Sequence, residues 1–515
     1  MKQLNASLVN SKVQLPKDLN VHEKRNLPER IVQFGEGNFL RGFVDWMVDR
    51  MNEQGLFNGG VAVVQPIPTG LAETLNIQNG LYTLYLRGIR DGMIVEEKSI
   101  VCSVTRALNP YTDFESYMSI AESPDLRFVI SNTTEAGIVY SEKDRPTDRP
   151  PHSYPGKLTV LLHRRFEAFV GDPERGLVII PCELIDRNGD VLKEAVLRLS
   201  RQWGYEEAFI NWLTTANYFL NSLVDRIVTG YPREEAQGIT EELGYEDKLL
   251  DTGEVFHLWV IEGDKRFAKE LPLSEARLNV IWTDDMTPYR TRKVRILNGA
   301  HTMTVLAAYL YGLNTVKECM DDPLVRRFME KGLYEEIIPT LDMPENELLD
   351  FARTVSERFA NPFIKHYLLS ISLNSTSKFK TRVLPSITEY VARKGAIPEA
   401  LTFSLAALIA FYRGTEITGH ALKGSRSTGG QGTNPYDIND DEDVLELFRD
   451  VWKRYEHARM NLNELALAVM SRASIWGFDL NTVPGLTRAA VRYLAGIVDH
   501  GIGATLEQVL ARGNS

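Results

Sequence analysis

Short apolar runs and amphipathic segments alternate through the first half of the chain. Uninterrupted apolar runs of this length are typical of buried parallel strands, and we assign them at 31–34, 61–64, 126–130 and 177–180. Segments with helical periodicity lie between them, at 38–51, 111–121, 157–169 and 191–203. Strand and helix in repeated alternation predict an α/β, doubly wound parallel sheet of the Rossmann type over residues 1–285.

The pattern changes after Asp284-Asp285, where strand signals become rare and helical periodicity dominates. Apolar-periodic segments recur at 334–338, 348–359, 400–412, 443–455, 462–474 and 491–498. The interval 415–440 is rich in Gly, Ser, Thr and Asp, which predicts a surface loop. We therefore expect a second, mainly α-helical domain over residues 286–515.

A glycine-rich turn joins the first strand to the first helix. Gly35-Glu36-Gly37 follows the apolar run and precedes Asn38 and Phe39, which is the context of a dinucleotide-binding fingerprint. Leu40 stands where that fingerprint has its third glycine, so the motif alone is weak. Gln65 ends the second strand, where an acid normally binds the ribose, and no Lys or Arg follows before Arg87. These residues favour NAD over NADP.

Small polar residues follow a later strand, in the run Ser131-Asn132-Thr133-Thr134-Glu135-Ala136-Gly137. Ligands bind at the carboxyl ends of strands in open α/β sheets, so Thr133 and Thr134 are candidate cofactor contacts, although a plain turn fits equally well. Asp225-Arg226 lies between apolar neighbours. It is either a structural ion pair or a polar contribution to a site.

The stretch from Lys293 to His301 opens a long apolar helix. Thr287-Pro288 predicts its start and Gly312 its end. At ~100° per residue, Asn298 and His301 lie ~140° and ~80° round an α-helix from Lys293, so one face can present an amine, an amide and an imidazole. The alternative is structural: the lysine reaches solvent, the amide braces a loop and the imidazole caps a carbonyl.

Basic residues are concentrated in one short segment of the helical half. They are Arg358, Lys365, His366, Lys378, Lys380 and Arg382. A solvated surface is one explanation. The other is recognition of an anionic substrate, with Lys378, Lys380 and Arg382 as the densest candidates.

The overall composition excludes several classes of protein. The chain has 515 residues and a formal net charge of −11, which argues against nucleic acid or an anionic membrane as a partner. Its three scattered cysteines predict neither a disulfide framework nor a structural zinc site, and they favour a cytoplasmic location. We find neither a signal peptide nor a membrane span, and we expect no metal. The sequence does not predict an oligomeric state, and it is compatible with a monomer.

Several of these motifs together resemble the mannitol dehydrogenase family of polyol-specific long-chain dehydrogenases. The resemblance extends over nearly the whole length. It is carried by Gly35-Glu36-Gly37-Asn38-Phe39-Leu40-Arg41, Ser131 to Ile138, Pro181 to Asp186, Val224-Asp225-Arg226, Thr229 to Pro232, Lys293-x4-Asn298-x2-His301 and Arg358-Phe359-x-Asn361-Pro362. It implies an NAD-linked, metal-free oxidoreductase with a Rossmann-type domain and a helical substrate domain.

The resemblance also implies roles for individual residues. Lys293 matches the general acid/base, Asn298 a donor to the developing alkoxide, His301 a group that positions the substrate hydroxyl, and Asp225 a substrate-contacting acid. Cofactor contacts would come from residues 35–39 with Arg41, and from Gln65, Thr133 and Thr134. Two positions depart from the pattern. Leu184 replaces a second asparagine and Ser370 an arginine that contacts the polyol.

The implied reaction is the reversible, NADH-dependent reduction of a small keto-sugar acid, D-tagaturonate, to D-altronate. Another hexuronate or hexitol, such as fructuronate or fructose, is an alternative substrate. A nucleotide-binding sensor without turnover is a further alternative, which the Lys–Asn–His set disfavours because a binding module gains nothing by burying those groups.

Overall fold

The computed structural model describes residues 2–10, 15–134, 136–427 and 432–512. Glu135 of the strand-end run and residues 428–431 of the expected loop lie outside the described residues. The chain forms two units, one of Met1–Gly88 with Met93–Met286 and one of Ile89–Gly92 with Thr287–Ser515.

Six parallel strands form the main sheet of the first unit. In chain order they are β1 (Glu29–Phe34), β2 (Gly60–Val64), β3 (Val104–Leu108), β4 (Phe128–Ser131), β5 (Val178–Pro181) and β6 (Tyr218–Phe219). Their spatial order is β6-β5-β4-β1-β2-β3, and all neighbouring strands run parallel. This is the Rossmann order, so the predicted fold class is confirmed.

Alternate residues of each strand enter two different cores, one on each face of the sheet. Ile31, Val61 and Val63 belong to one buried cluster. Val32, Phe34 and Ala62 belong to the other. A sheet buried on both faces explains why its strands read as continuous apolar runs in the sequence.

Helices and minor strands complete the first unit. The α-helices are Ala6–Asn10, Asn38–Leu40, Trp46–Glu53, Ala72–Ile77, Phe114–Ser119, Tyr154–Ala168, Asn188–Gln202, Glu207–Thr215, Ala236–Leu243 and Phe267–Glu270. Arg41–Asp45 is a π-helical segment that joins Asn38–Leu40 to Trp46–Glu53, and Ile120–Glu122 and Pro173–Arg175 are 3₁₀-helices. Lys2–Gln3 pairs with Tyr245–Glu246.

The remaining strands form two separate sheets, whereas the sequence pattern suggested one doubly wound sheet. One sheet has the order Asp251–Glu254, Tyr82–Arg90, Met93–Val101 and Leu19–Asn20. The other contains Asn221–Asp225, Leu258–Glu262 and Val280–Thr283. The chain turns between Tyr82–Arg90 and Met93–Val101 at Asp91-Gly92, where both residues have positive φ.

The second unit is mainly helical, as expected. Its α-helices are Thr287–Arg292, Gly299–Tyr311, Val316–Asp321, Pro323–Glu330, Glu345–Phe359, Leu368–Ile371, Ser375–Arg382, Leu384–Lys394, Glu399–Phe411, Glu442–Glu456, Leu462–Met470, Ala473–Trp476 and Leu486–Ala511. Lys293–Asn298 and Lys331–Ile337 are π-helical, and Ile338–Thr340 and Leu480–Thr482 are 3₁₀-helices.

The prediction of a surface loop at 415–440 is wrong for the described residues. They form an antiparallel sheet of Gly414–Thr418, Ala421–Ser427 and Thr433–Ile438. Alternate residues point inward, so Leu422, Tyr436 and Ile438 are buried while their neighbours carry the polar composition. The polar composition of this segment made the alternation of buried and exposed residues, which is typical of strands, hard to recognise from the sequence.

Within the described ranges, no helix is both long enough and apolar enough to cross a lipid bilayer.

Candidate functional site

The carboxyl ends of β1 and β4 meet at the point where the strand order reverses, which is where open α/β sheets bind ligands. Gly35 follows β1 with φ +119°, and a Cβ there would lie 2.8 Å from the carbonyl oxygen of Asn132, after β4. The Asn132 N–H donates to the carbonyl of Phe34 at 3.0 Å. Only glycine fits position 35, because both the backbone angle and the neighbouring strand exclude a side chain.

Gly37 differs from Gly35 because the space above it is open. A Cβ at Gly37 would meet no protein atom within 4 Å. It is the N-cap of the helix that begins at Asn38, and no side chain caps the first turn. A helix N-terminus with accessible N–H groups and no Cβ in the way suits a phosphate group.

Leu40 explains why the third glycine of the fingerprint is absent. Its side chain is buried, and its Cδ1 would lie 3.2 Å from a Cβ on Gly35. A third glycine would let the helix pack closer to the sheet. Here the helix is spaced from the sheet by the leucine side chain, which fills the gap.

Arg41 lies buried beneath the turn and holds it through hydrogen bonds. It donates to the carbonyl of Glu36 at 3.3 Å, to Asn38 Oδ1 at 2.7 Å and to the carbonyl of Leu249. Its guanidinium also lies 3.8 Å from Asp251. These bonds give Arg41 a role in shaping the turn; a direct contact to the cofactor stays a prediction.

Gln65 stands at the end of β2, and its amide braces the following loop. Its Nε2 donates to the carbonyls of Ile67 and Pro68 at 2.9 and 3.1 Å, and its Oε1 accepts from the Ala72 N–H at 3.2 Å. Glu36 supports the same loop by accepting the Leu71 N–H at 3.4 Å, and burial raises the pKa of its carboxyl. The predicted ribose contact of Gln65 stays a prediction.

A buried carboxylate fixes the strand end that carries Thr133. Glu183, after β5, accepts the Thr133 N–H at 2.9 Å and its hydroxyl at 3.0 Å, and it accepts the Ser131 hydroxyl at 3.0 Å. Burial raises the pKa of Glu183. Thr134 is exposed with φ +72°. Glu183 was not among the site residues predicted from the sequence; it lies within the family motif Pro181 to Asp186.

Asp225 ends the strand Asn221–Asp225 and is buried beside Arg226. Arg226 donates to the carbonyls of Phe256 and Gly42 at 3.0 and 2.7 Å, and its guanidinium lies 4.1 Å from the centre of the Trp46 ring. Arg226 is thus anchored by backbone carbonyls and an aromatic ring. The substrate contact of Asp225 stays a prediction.

The helix that carries Lys293 begins at Thr287 and ends at Tyr311 before Gly312, as the sequence indicated. Lys293–Asn298, however, is π-helical. A π turn holds one residue more than an α turn, so later residues rotate back by ~100° and Asn298 and His301 come to lie ~40° and ~20° from Lys293. The three groups therefore share one side of the helix more closely than an α-helix would allow.

His301 lies in a polar, cationic environment within the second unit. Its ring stacks on Phe359 at 4.1 Å and meets His366 edge-on at 5.2 Å. Its Nε2 is enclosed and has no hydrogen-bond partner among the described residues. Burial holds the pKa of His301 well below its usual value, and the charges of His366, Arg358, Arg382 and Lys378 act in the same direction. The expected capping of a carbonyl is not made through Nε2.

The three densest basic residues do not lie together. Lys378 and Arg382 are one helical turn apart on Ser375–Arg382, and both contribute to the electrostatics of His301. Lys380 lies on another side of that helix, where its Cε would be 3.2 Å from a Cβ on Gly477. Ser370 is exposed.

The second departure from the family pattern, Leu184, is also solvent-exposed, at 63% of its area. The nearby Asn188 is buried, and its amide donates to the carbonyls of Pro181, Glu183 and Ser222. Its donors are therefore used within the fold.

One group in the described ranges has metal-binding spacing, although the sequence suggested no metal. Ligand atoms of His22, Asp49 and Cys102 lie within 4.8 Å of one another. Asp49 is already bonded to the Cys102 N–H at 2.8 Å and lies 3.4 Å from Arg50, while Lys24 donates to the carbonyl of Cys102. These bonds and the two adjacent cations oppose a metal ion there.

Comparisons with known proteins agree with both halves of the chain. The family model of the mannitol dehydrogenase Rossmann domain matches residues 29–275, and that of the mannitol dehydrogenase C-terminal domain matches 285–498. An altronate oxidoreductase of Yersinia enterocolitica is 48% identical over 94% of this chain and 97% of its own length. One of Escherichia coli is 48% identical over 92% of this chain and 95% of its own.

Two solved structures share the fold. The mannitol 2-dehydrogenase of Pseudomonas fluorescens, in a ternary complex with NAD and D-mannitol, is 22% identical with a TM-score of 0.68, covering 99% of this chain and 100% of its own. A substrate-free D-sorbitol dehydrogenase is 20% identical with a TM-score of 0.78, covering 98% and 100%.

Proposed function

The chain belongs to the mannitol dehydrogenase family and is an oxidoreductase acting on CH–OH groups. On this basis, we propose that it catalyses the reversible reduction of D-tagaturonate to D-altronate with NADH. The altronate oxidoreductases, 48% identical over almost the full length, support the substrate. The Rossmann-domain match and the NAD complex of the structural relative support the cofactor.

The observation that carries the proposed chemistry is the shared side of the Lys293 helix. The π-helical segment favours Lys293, Asn298 and His301 on one side of the helix, within ~40° by residue count. The Nε2 of His301 is enclosed without a partner in the described part of the chain. A buried polar atom without a partner costs free energy, so a site that binds a polar ligand there is the economical explanation.

The proposed mechanism assigns one role to each group. NADH, when bound, supplies the hydride that adds to the carbonyl carbon of the keto-sugar acid. The Lys293 ammonium donates a proton to the carbonyl oxygen as the alcohol forms, and takes one back in the oxidation direction. The Asn298 amide donates to the oxygen as negative charge develops on it. His301, kept neutral by its surroundings, positions a substrate hydroxyl.

The cofactor would occupy the strand ends of the first unit. Gly37 leaves room for the pyrophosphate at the start of the helix, Gly35 closes the turn against Asn132, and Arg41 holds the turn from below. Asn38, Phe39, Gln65, Thr133 and Thr134 would surround the rest of the nucleotide. Asp225 would contact the substrate.

The location and partners follow from the same proposal. A cytoplasmic enzyme with a small-molecule substrate fits the three free cysteines and the relatives' metabolic activity. Another hexuronate or hexitol is the alternative substrate; the D-mannitol in the complex of the structural relative is a hexitol.

A screen of NADH oxidation tests the proposal. The purified protein would be assayed with D-tagaturonate, D-fructuronate and D-fructose, with Lys293→Ala as the inactive control. We expect the highest kcat/KM with D-tagaturonate. Faster reduction of fructuronate or fructose would replace the substrate, and NADH binding without turnover of any of them would favour a nucleotide-binding sensor.

A further inference from the structure

Two cations on one helix of the second unit form no ion pair with an acid in the part of the chain that the structure describes. Lys378 and Arg382 stand one turn apart on Ser375–Arg382, so their side chains share a face. Lys378 donates to the carbonyl of Ile371 at 2.9 Å, and Arg382 donates to the Thr302 hydroxyl at 3.4 Å. Among the described residues, neither forms an ion pair with an Asp or Glu.

This arrangement is electrostatically unfavourable by itself. Burial lowers the pKa of both side chains, and the charge of Arg382 lowers that of Lys378 further. Asp440 acts in the opposite direction on Lys378, but it is already bonded to Thr376 and Tyr412. Asp440 therefore balances only part of this charge, and no carboxylate is among the causes of the Arg382 shift. Partly buried like charges that are incompletely balanced cost free energy that an anionic ligand would recover.

The pair lies beside the proposed catalytic face. His301 feels the charges of His366, Arg358, Arg382 and Lys378, and no carboxylate is among the causes of its pKa shift. Arg382 also reaches Thr302, the residue after His301. A ligand bound to His301 would therefore meet a region of positive charge within the same unit.

We propose that Arg382, with Lys378 beside it, binds the substrate carboxylate and sets the preference of the enzyme for sugar acids over neutral sugars. The guanidinium suits this role because its planar fork of N–H groups can donate two parallel bonds to a carboxylate. The proposal rests on the proposed function for the reaction, and it leaves Lys380 out.

The decisive variant is Arg382→Gln, which removes the charge and keeps a polar but shorter side chain. We expect kcat/KM on D-tagaturonate to fall by roughly ten- to a hundredfold, the range of one charge-assisted hydrogen bond, mainly through KM. The kcat/KM on D-fructose should stay unchanged, because a neutral ketose has no carboxylate to lose. Arg382→Lys should recover part of the activity on the acid.

Matched variants separate charge recognition from general damage. Arg488→Gln removes an exposed arginine of the same unit and should leave both substrates unaffected. Lys380→Gln removes a charge from the same helix on another side and should alter the acid-to-neutral ratio less than Arg382→Gln. Thermal unfolding of each variant checks that the fold is retained.

Equal losses on acid and neutral substrates, or no loss on either, would overturn the assignment. A binding measurement keeps it separate from the proposed function. D-Glucuronate should raise the Tm of the wild type more than D-glucose does, and Arg382→Gln should abolish that difference. A wild type that binds glucuronate through Arg382 but reduces no keto-sugar acid would refute the proposed function alone. No difference between glucuronate and glucose in the wild type would refute the anion site.

Discussion

The strand ends of the first unit and the Lys293 side of the second unit use polar groups in opposite ways. At the strand ends the polar side chains bond to the backbone around them. Glu183 accepts from the Thr133 N–H, Gln65 donates to the carbonyl of Ile67, and Arg41 donates to the carbonyl of Glu36. On the second unit, the described residues provide no partner for the enclosed Nε2 of His301 and no ion pair for Lys378 or Arg382.

This difference indicates that the polar groups at the strand ends stabilise the shape of the backbone, whereas those on the Lys293 side are proposed to act on the substrate. The nucleotide region needs a rigid backbone shape, since its proposed ligand contacts are N–H groups and open space above glycine. The proposed catalytic region needs cations that form no ion pair with an acid, as Lys378 and Arg382 do not in the described ranges, and such charges cost stability until a ligand binds. Variants should therefore change affinity or folding in the first region and turnover or selectivity in the second.

Lys293→Ala should produce the largest effect and test the chemical half of the comparison. Without its proton donor, kcat should fall by roughly 10²–10⁴-fold. The dissociation constant of NADH should hardly change, because the nucleotide region is built from the other unit. Steady-state kinetics and a fluorescence titration with NADH measure the two quantities. Near-normal turnover would refute the role of Lys293.

Gly37→Val should weaken NADH and NADPH alike and test the scaffold half. The added Cβ would meet no protein atom within 4 Å, so we expect any loss to come through the pyrophosphate, which on our proposal would occupy the open space. We expect a higher Kd for both nucleotides with an unchanged Tm. Retained nucleotide affinity in this variant would contradict the assignment of the turn.

Gly35→Ala is the matched control, because the same class of change at the neighbouring glycine should act on folding. Position 35 has φ +119° and a Cβ there would lie 2.8 Å from the carbonyl of Asn132. Backbone strain of this kind costs about 1–3 kcal/mol, so we expect a lower Tm measured by thermal unfolding. Equal Tm values for the two glycine variants would remove the distinction between them.

Cofactor preference should show a further difference within the first unit. Gln65 ends β2 in place of an acid, and the sequence offers no Lys or Arg before Arg87 to meet a 2′-phosphate. We expect a higher kcat/KM with NADH than with NADPH, measured at saturating ketose acid. An equal or reversed preference would show that another part of the chain binds the ribose.

The sequence predicted the elements better than their detailed geometry. Thr287-Pro288 and Gly312 bounded the Lys293 helix correctly because caps are local signals. The π-helical segment at Lys293–Asn298 was not predictable from a 3.6-residue period, because one extra residue leaves the apolar pattern almost intact. The expected loop at 415–440 was wrong, since small polar residues there alternate with buried Leu422 and Tyr436.

Candidate site residues show the same limit. The density of basic residues found the segment 378–382, but only the helix geometry separates Lys380 from Lys378 and Arg382. Glu183 and Phe359 could not be predicted individually from the sequence, because a buried acceptor and a stacking ring have no sequence signature of their own. Their functions depend on neighbours distant in the sequence.

The smallest predicted effect concerns the cost of keeping His301 neutral. Its pKa is held well below the usual 6.5 by burial and by His366, Arg358, Arg382 and Lys378, whereas the unfolded chain protonates it near 6.5. Below that pH the unfolded state binds more protons, so the stability present above pH 6.5 is lost as the pH falls.

His301→Asn should make this decline in the free energy of unfolding less steep, measured by denaturant unfolding between pH 7 and 5. Part of the decline should remain, because the pKa of His366 is also lowered. His500→Asn, at an exposed site, should leave the decline as in the wild type. An equally steep decline in His301→Asn would mean that His301 is not held neutral. The Lys293 side of the second unit would then not contain a desolvated imidazole.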